Sequence, residues 1–225
     1  MQKARYIVIE GPIGVGKTSL ATLLAKEFNA RTLFENVNDN PFLPEFYRDR
    51  ERNAFKTQMF FLLSRYQQQL DLGQADLFQK TTVSDYLFAK DRIFARLTLD
   101  EHELMLYDRV FGVLDPQIPR PDLVIYLQAE IEVLQKRIRT RNIAYEKSLD
   151  AEYLVDLISL YNEFFFHYAE TPLLVINTSE IDFVSNREDL QQLIREIREF
   201  KSGTQYFVPL GSGPTSRRRD RDGKE

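Results

Sequence analysis

Short apolar, β-branched runs alternate along this chain with longer stretches of helical spacing. "RYIVIE" (Arg5–Glu10) reads as a strand and Thr18–Phe28 as a helix. "RTLFE" (Arg31–Glu35) is a second strand candidate. "DNPFLPEFYRD" carries two prolines, which predicts a loop passing into a short helix. The apolar stretch Asn53–Leu70 predicts a long helix. Strands follow at Lys80–Asp85, Asp122–Gln128 and Pro172–Thr178, with helices at Asp100–Leu114, Glu130–Arg141, Asp150–Glu170 and Asn186–Lys201. Strands that read as continuous apolar runs and alternate with helices predict an α/β fold, a five-stranded parallel sheet flanked by helices. Residues 1–203 are expected to form one domain, with 204–225 as an extension. Its end, "GSGPTSRRRDRDGKE", has no apolar anchor and is expected to be disordered from about Gly211.

One polar pair interrupts the apolar helix. Gln58 and Arg65 stand seven residues apart, two helical turns, and so point in nearly the same direction, with Phe55 and Leu62 expected on the same face. A Gln amide offers an acceptor and two donors, and Arg offers donors only. Such a stripe suits the edge of a nucleobase, with Phe61 or Phe88 to stack on it. An arginine buried there needs an acidic partner.

Composition narrows the chemistry. The 225 residues contain no cysteine, which excludes disulfides and thiolate catalysis, and only two histidines, His102 and His167, far apart. His167 reads as structural. A net charge of −4 argues against a general nucleic-acid binder. No apolar run is long enough for a membrane span, so a cytoplasmic protein without nucleic-acid or membrane partners is expected.

The strongest chemical signal lies between the first strand and first helix. Gly11-Pro12-Ile13-Gly14-Val15-Gly16-Lys17-Thr18, followed by Ser19, satisfies the P-loop pattern in its required context. Glycines let backbone N–H groups converge on phosphate oxygens, Lys17 adds a point charge, and the Thr18 hydroxyl suits Mg²⁺. No Asn-Lys-x-Asp is present to read guanine as in a GTPase. The third strand ends in a single acid, Asp85, which fits either the metal or a strand-end cap.

From Glu35 onward the chain resembles the deoxynucleoside kinases, most nearly the short bacterial deoxyadenosine and deoxyguanosine kinases. "ENVNDNPFLPEFY", "TQMFFLLSRY" and "VSDYLFAKDRIFA" carry the resemblance, which runs from Arg5 to about Lys201. It implies transfer of the γ-phosphate of ATP, with Mg²⁺, to the 5′-hydroxyl of a deoxynucleoside, purines favoured, by a homodimer. Glu35 then matches the general base, and Tyr47 and Glu146 the groups on the sugar 3′-hydroxyl. Gln58 reads the base, and Asp91 is the acid for Arg65. Arg137, Arg139 and Arg141 form the basic lid, and Arg137 and Phe183 match the pair holding adenine. The chain departs from the family at Ile143, where a further lid arginine is usual, and at Tyr86, where an arginine often follows the acid. Tyr86 also counts against a monophosphate kinase of thymidylate-kinase type, the first competing reading. A non-catalytic nucleotide-binding protein is the second.

Overall fold

The computed structural model describes residues 6–75, 81–143 and 151–211. β1 (Tyr6–Glu10), β2 (Arg31–Leu33), β3 (Thr82–Ser84), β4 (Leu123–Gln128), β5 (Leu173–Asn177) and β6 (Thr204–Phe207) form one sheet in the order β2-β3-β1-β4-β5-β6. Every neighbouring pair is parallel. The sheet therefore has six strands, not the expected five. β6, from the expected extension, pairs with β5, yet its residues are only half-buried or exposed. An edge strand of this kind lacks the apolar run that marks the inner ones.

β1 lies at the centre with all five residues buried. Its successive side chains enter opposite layers, as the strand period requires. Ile7 and Ile9 pack with Leu20 and Leu24 of α1 (Lys17–Phe28) and with Leu193 and Ile197 of α8 (Arg187–Glu199). Tyr6 and Val8 pack with Leu157, Tyr161 and Phe165 of α7 (Ala151–Phe166), which absorbs most of the aromatic run 161–168 into the core. Each fully buried Leu, Ile or Phe contributes roughly 1.5–3 kcal/mol.

The long helix extends further than expected, as α3 (Arg50–Ala75), behind the short α2 (Leu43–Arg48). α4 (Asp91–Thr98) was not anticipated. Eight residues make little more than two turns, too few for a periodic pattern to stand out. α5 (Glu101–Leu114) begins at a capping box, in which the Asp100 side chain accepts from the His102 and Glu103 N–H groups. α6 (Ile131–Arg141) completes the set. Among the described residues no helix is long and apolar enough to cross a membrane.

The chain passes from β1 outward to β2, returns to β3, then crosses to β4 on the other side of β1. Ligands in open α/β sheets bind at the carboxyl ends of the strands where the winding reverses. Here that point is the end of β1.

Candidate active site

The residues leaving β1 make a loop that only glycine can trace at three positions. Gly11, Gly14 and Gly16 have φ of +152°, +84° and +105°. A Cβ on Gly16 would meet the Phe183 ring at 2.8 Å, and one on Gly14 would meet Ile138 at 2.7 Å. Gly16 caps α1 with no side-chain bond and no acid in the first turn, so the helix N-terminus keeps its donors for an anion. Lys17 folds back over the loop and donates to the carbonyls of Gly11 (2.7 Å) and Pro12 (3.2 Å). Burial pushes its pKa down to about 8, against the pull of Glu10.

β3 and β2 bring acids to the same place. Thr18 Oγ1 donates to Asp85 Oδ2 at 2.5 Å, and the Glu35 N–H donates to Asp85 Oδ1 at 2.8 Å. Asp85 thus ties the P-loop helix to the residue just past β2. A hydroxyl and one carboxylate fit a hard cation that shares its remaining ligands with water and phosphates, as Mg²⁺ does. Among the described residues no group of three or more His, Cys, Asp or Glu could form an all-protein cage.

Glu35 sits between two cations. Arg65 donates to Oε1 from both Nε (2.8 Å) and Nη2, and Lys90 Nζ donates to Oε2 at 2.8 Å. Burial pushes the Glu35 carboxyl up, but Arg65 and Lys90 together outweigh it and hold the group well below the usual carboxylate range. Arg65 also forms the anticipated ion pair with Asp91. Asp91 accepts in turn from the Tyr107 hydroxyl at 2.8 Å. Gln58 Nε2 donates to the Asp91 carbonyl at 2.9 Å, which anchors the amide at the cavity wall.

These elements enclose a cavity of about 940 Å³. One end is walled by the P-loop, Arg137, Arg141, Ser19 and Phe183, and the other by Tyr47, Gln58, Phe61 and Arg65, with Glu35, Asp85 and Lys90 between. That volume lies at the upper end of the range for small-molecule sites. Arg137 reaches from α6 to the carbonyls of Val15, Thr178 and Ile181 and so pins α6 beside the loop.

Not every candidate falls on the wall. Phe88 is removed from it, because its ring stacks on Phe111 in the cluster with Leu62 and Tyr107. Phe61 stays, with the Arg65 guanidinium over its ring at 4.8 Å. Asp91, fully buried, stands behind Arg65 rather than at the cavity. Arg139 is exposed and bonds within its own helix to Gln135, so the fold turns it away. Phe55 and Leu62 are also off the wall. The cavity face of α3 runs Ala54–Gln58–Phe61–Arg65, spaced four, three and four residues, which follows the 3.6-residue turn more closely than the expected stripe. Glu146 and the tail from 212 lie outside the described residues. Sequence reasoning missed Lys90, whose position in a three-residue turn (Phe88–Lys90) carries no periodic signal, and Glu10, which reads as an ordinary strand end.

Comparison with known proteins agrees with this geometry. Residues 7–202 match the family model described as deoxynucleoside kinase. The chain is 36% identical to the deoxyguanosine kinase of Bacillus subtilis (strain 168), over 88% of this chain and 99% of that one. It is 36% identical to a deoxyadenosine kinase of Dictyostelium discoideum, over 94% and 87% of the two chains. A solved deoxyadenosine kinase from M. mycoides with bound dCTP superposes with a TM-score of 0.75 over 86% of this chain and 98% of its own, at 23% identity, which bears on the fold alone.

Proposed function

We propose, for a chain that belongs to the deoxynucleoside kinase family, that a purine deoxynucleoside is the acceptor and that the cavity holds it end to end with ATP. The protein is an enzyme, a phosphotransferase that phosphorylates deoxynucleosides at the expense of ATP. The observation that carries the proposal is the single cavity with a phosphate-binding loop at one end, a carboxylate at its middle and an amide–guanidinium pair at the other.

In this reading the triphosphate lies on the P-loop, with Lys17 on its terminal phosphates and the adenine toward Phe183 and Arg137. The deoxynucleoside lies between Tyr47 and Glu35, its base against Phe61 and its edge toward Gln58 and Arg65. Glu35 takes the 5′-hydroxyl proton as that oxygen attacks the γ-phosphorus. Arg141 carries charge from the transferring group, as lid arginines do. Thr18 and Asp85 would hold Mg²⁺, which neutralises phosphate charge when bound. Buried polar groups at the base edge favour purines: Gln pairs with adenine N6/N7 and Arg with guanine O6/N7. The curated relatives named above act on deoxyguanosine and deoxyadenosine, which supports the same preference.

A panel of the four deoxynucleosides tests the preference. We expect kcat/KM for deoxyadenosine or deoxyguanosine to exceed that for thymidine at least 100-fold. Thymidine equal to both purines would contradict it. The proposal also includes a homodimer in the cytoplasm, supported by apolar residues exposed on α5 and α7, Met105, Val113 and Val155. Light scattering at the mass of a single chain would refute the dimer.

Lys17 gives the reaction a basic limit. Its folded pKa lies at about 8, below the ordinary 10.5, so the ammonium is lost as pH rises through about 8. Phosphates bind the charged form. The expected outcome is a fall in kcat/KM for ATP above about pH 8. Lys17→Arg, which stays protonated, should lack that limb although its rate is lower overall. An unchanged limb in the variant would assign it to another group.

A further inference from the structure

Lys90 is a buried lysine that the roles above leave unused. It is 2% exposed, it ends the turn between β3 and α4, and its ammonium reaches the cavity wall. Nζ lies 2.8 Å from Glu35 Oε2, 3.9 Å from Glu10 Oε2 and 6.0 Å above the Tyr86 ring. Burying an ammonium is costly, and its bonds to the protein are few. Glu35 does not need it for support, since Arg65 already makes two bonds to Oε1.

We propose that Lys90 is a catalytic residue that exchanges its bond to Glu35 for the phosphoryl group as that group moves onto the acceptor. The inference rests on the kinase reading of this cavity. Among the described residues Oε1 of Glu35 accepts two bonds from Arg65 and Oε2 accepts one, from Lys90, so a lone pair for the acceptor hydroxyl lies on Oε2. Hydroxyl and ammonium then share one carboxylate oxygen and are neighbours. In the step, the 5′-hydroxyl proton passes to Glu35 Oε2 and the O5′–Pγ bond forms. The bond from Pγ to the oxygen bridging to the β-phosphorus breaks, and its electron pair leaves with ADP. Glu35 becomes neutral at the moment a new phosphate ester appears beside it. Lys90 loses its closest counter-charge. The remaining carboxylate, Glu10, is already engaged by the Gly11 and Leu87 N–H groups and the Tyr161 hydroxyl. The ammonium is therefore free to pair with the phosphate, a charge-assisted bond that exists on the product side only.

Affinity for product against substrate tests this without turnover. Deoxyadenosine and dAMP are each titrated calorimetrically into the full chain, wild type and Lys90→Met, with Lys90→Gln, which keeps a donor for Glu35, used if the first variant does not fold. The expected result is a loss of at least tenfold in dAMP affinity with deoxyadenosine unchanged within threefold, and a kcat at least 100-fold lower that Lys90→Arg partly restores. Unchanged dAMP affinity overturns the proposal, and so does an equal loss for both ligands, which marks a structural role. Absence of phosphorylation of both deoxyadenosine and deoxyguanosine in the wild type defeats the kinase reading, whereas an active wild type beside an unchanged dAMP affinity in the variant defeats the role of Lys90 alone.

Discussion

Replacing Glu35 by glutamine is expected to lower the rate of phosphoryl transfer to deoxyadenosine by about 10²–10⁴-fold, the range for a lost general base, with deoxyadenosine affinity unchanged within a few-fold. The amide keeps the shape of the carboxylate and an acceptor for Arg65, so the base end of the cavity survives. It removes the lone pair that takes the hydroxyl proton. Glu35 is not a strong base, since Arg65 and Lys90 hold its carboxyl well below the usual range. Phosphoryl transfer tolerates this, because its transition state is loose and positioning outweighs basicity. The low value also predicts the pH profile. A carboxylate with a depressed pKa stays ionised as pH falls through the usual Glu range, so Glu35 should add no acid limb to kcat/KM down to about pH 4, where an ordinary Glu would be mostly protonated. Rapid-quench single turnovers measure the effect directly. A Glu35→Gln rate within tenfold of wild type would show that the hydroxyl proton leaves by another route.

Arg65→Leu is expected to damage both stability and activity. Arg65 is the cation common to Glu35 and Asp91, and the three side chains are buried or nearly so. Leucine leaves Asp91, which is fully buried, with the Tyr107 hydroxyl as its remaining side-chain partner among the described residues. Removing one member of a buried pair costs roughly 3–5 kcal/mol, because the other charge stays behind uncompensated. For a chain of this size that is a drop in Tm of roughly 6–20 °C. Nucleoside affinity should fall with it, since Gln58 hangs on the Asp91 carbonyl and Arg65 itself lines the cavity. Adding Asp91→Asn to Arg65→Leu removes the orphaned charge and is expected to recover part of the Tm without the activity. Additive losses in the double variant would mean that the two residues do not act as a pair.

How much of this was readable in the chain follows from the physics of each signal. The central strands were legible because burial on both faces leaves continuous apolar runs, as in β1 and β4. β6 was not, since an edge strand need not be apolar. The P-loop was legible because its glycines answer to backbone angles that other residues rarely adopt, and the need of Arg65 for an acid because a buried guanidinium demands one, whereas the choice of Asp91 came from the family resemblance. Phe88 was misplaced toward the base because an aromatic beside a site looks the same in sequence whether it faces a ligand or Phe111. Arg139 failed for a related reason. A basic helix end contains more arginines than one face can present. Lys90 and Glu10 escaped because their importance is purely tertiary, arising where β1, the segment after β2 and the turn after β3 meet.

The most direct measurement of the central claim follows γ-labelled ATP with the wild-type protein and identifies the acceptor. Label is expected on the 5′-oxygen of deoxyadenosine or deoxyguanosine, with one ADP formed per labelled nucleotide and no transfer to dAMP, dGMP or dTMP. Label found on the monophosphates alone, or ADP formed at the same rate without any deoxynucleoside, would contradict it.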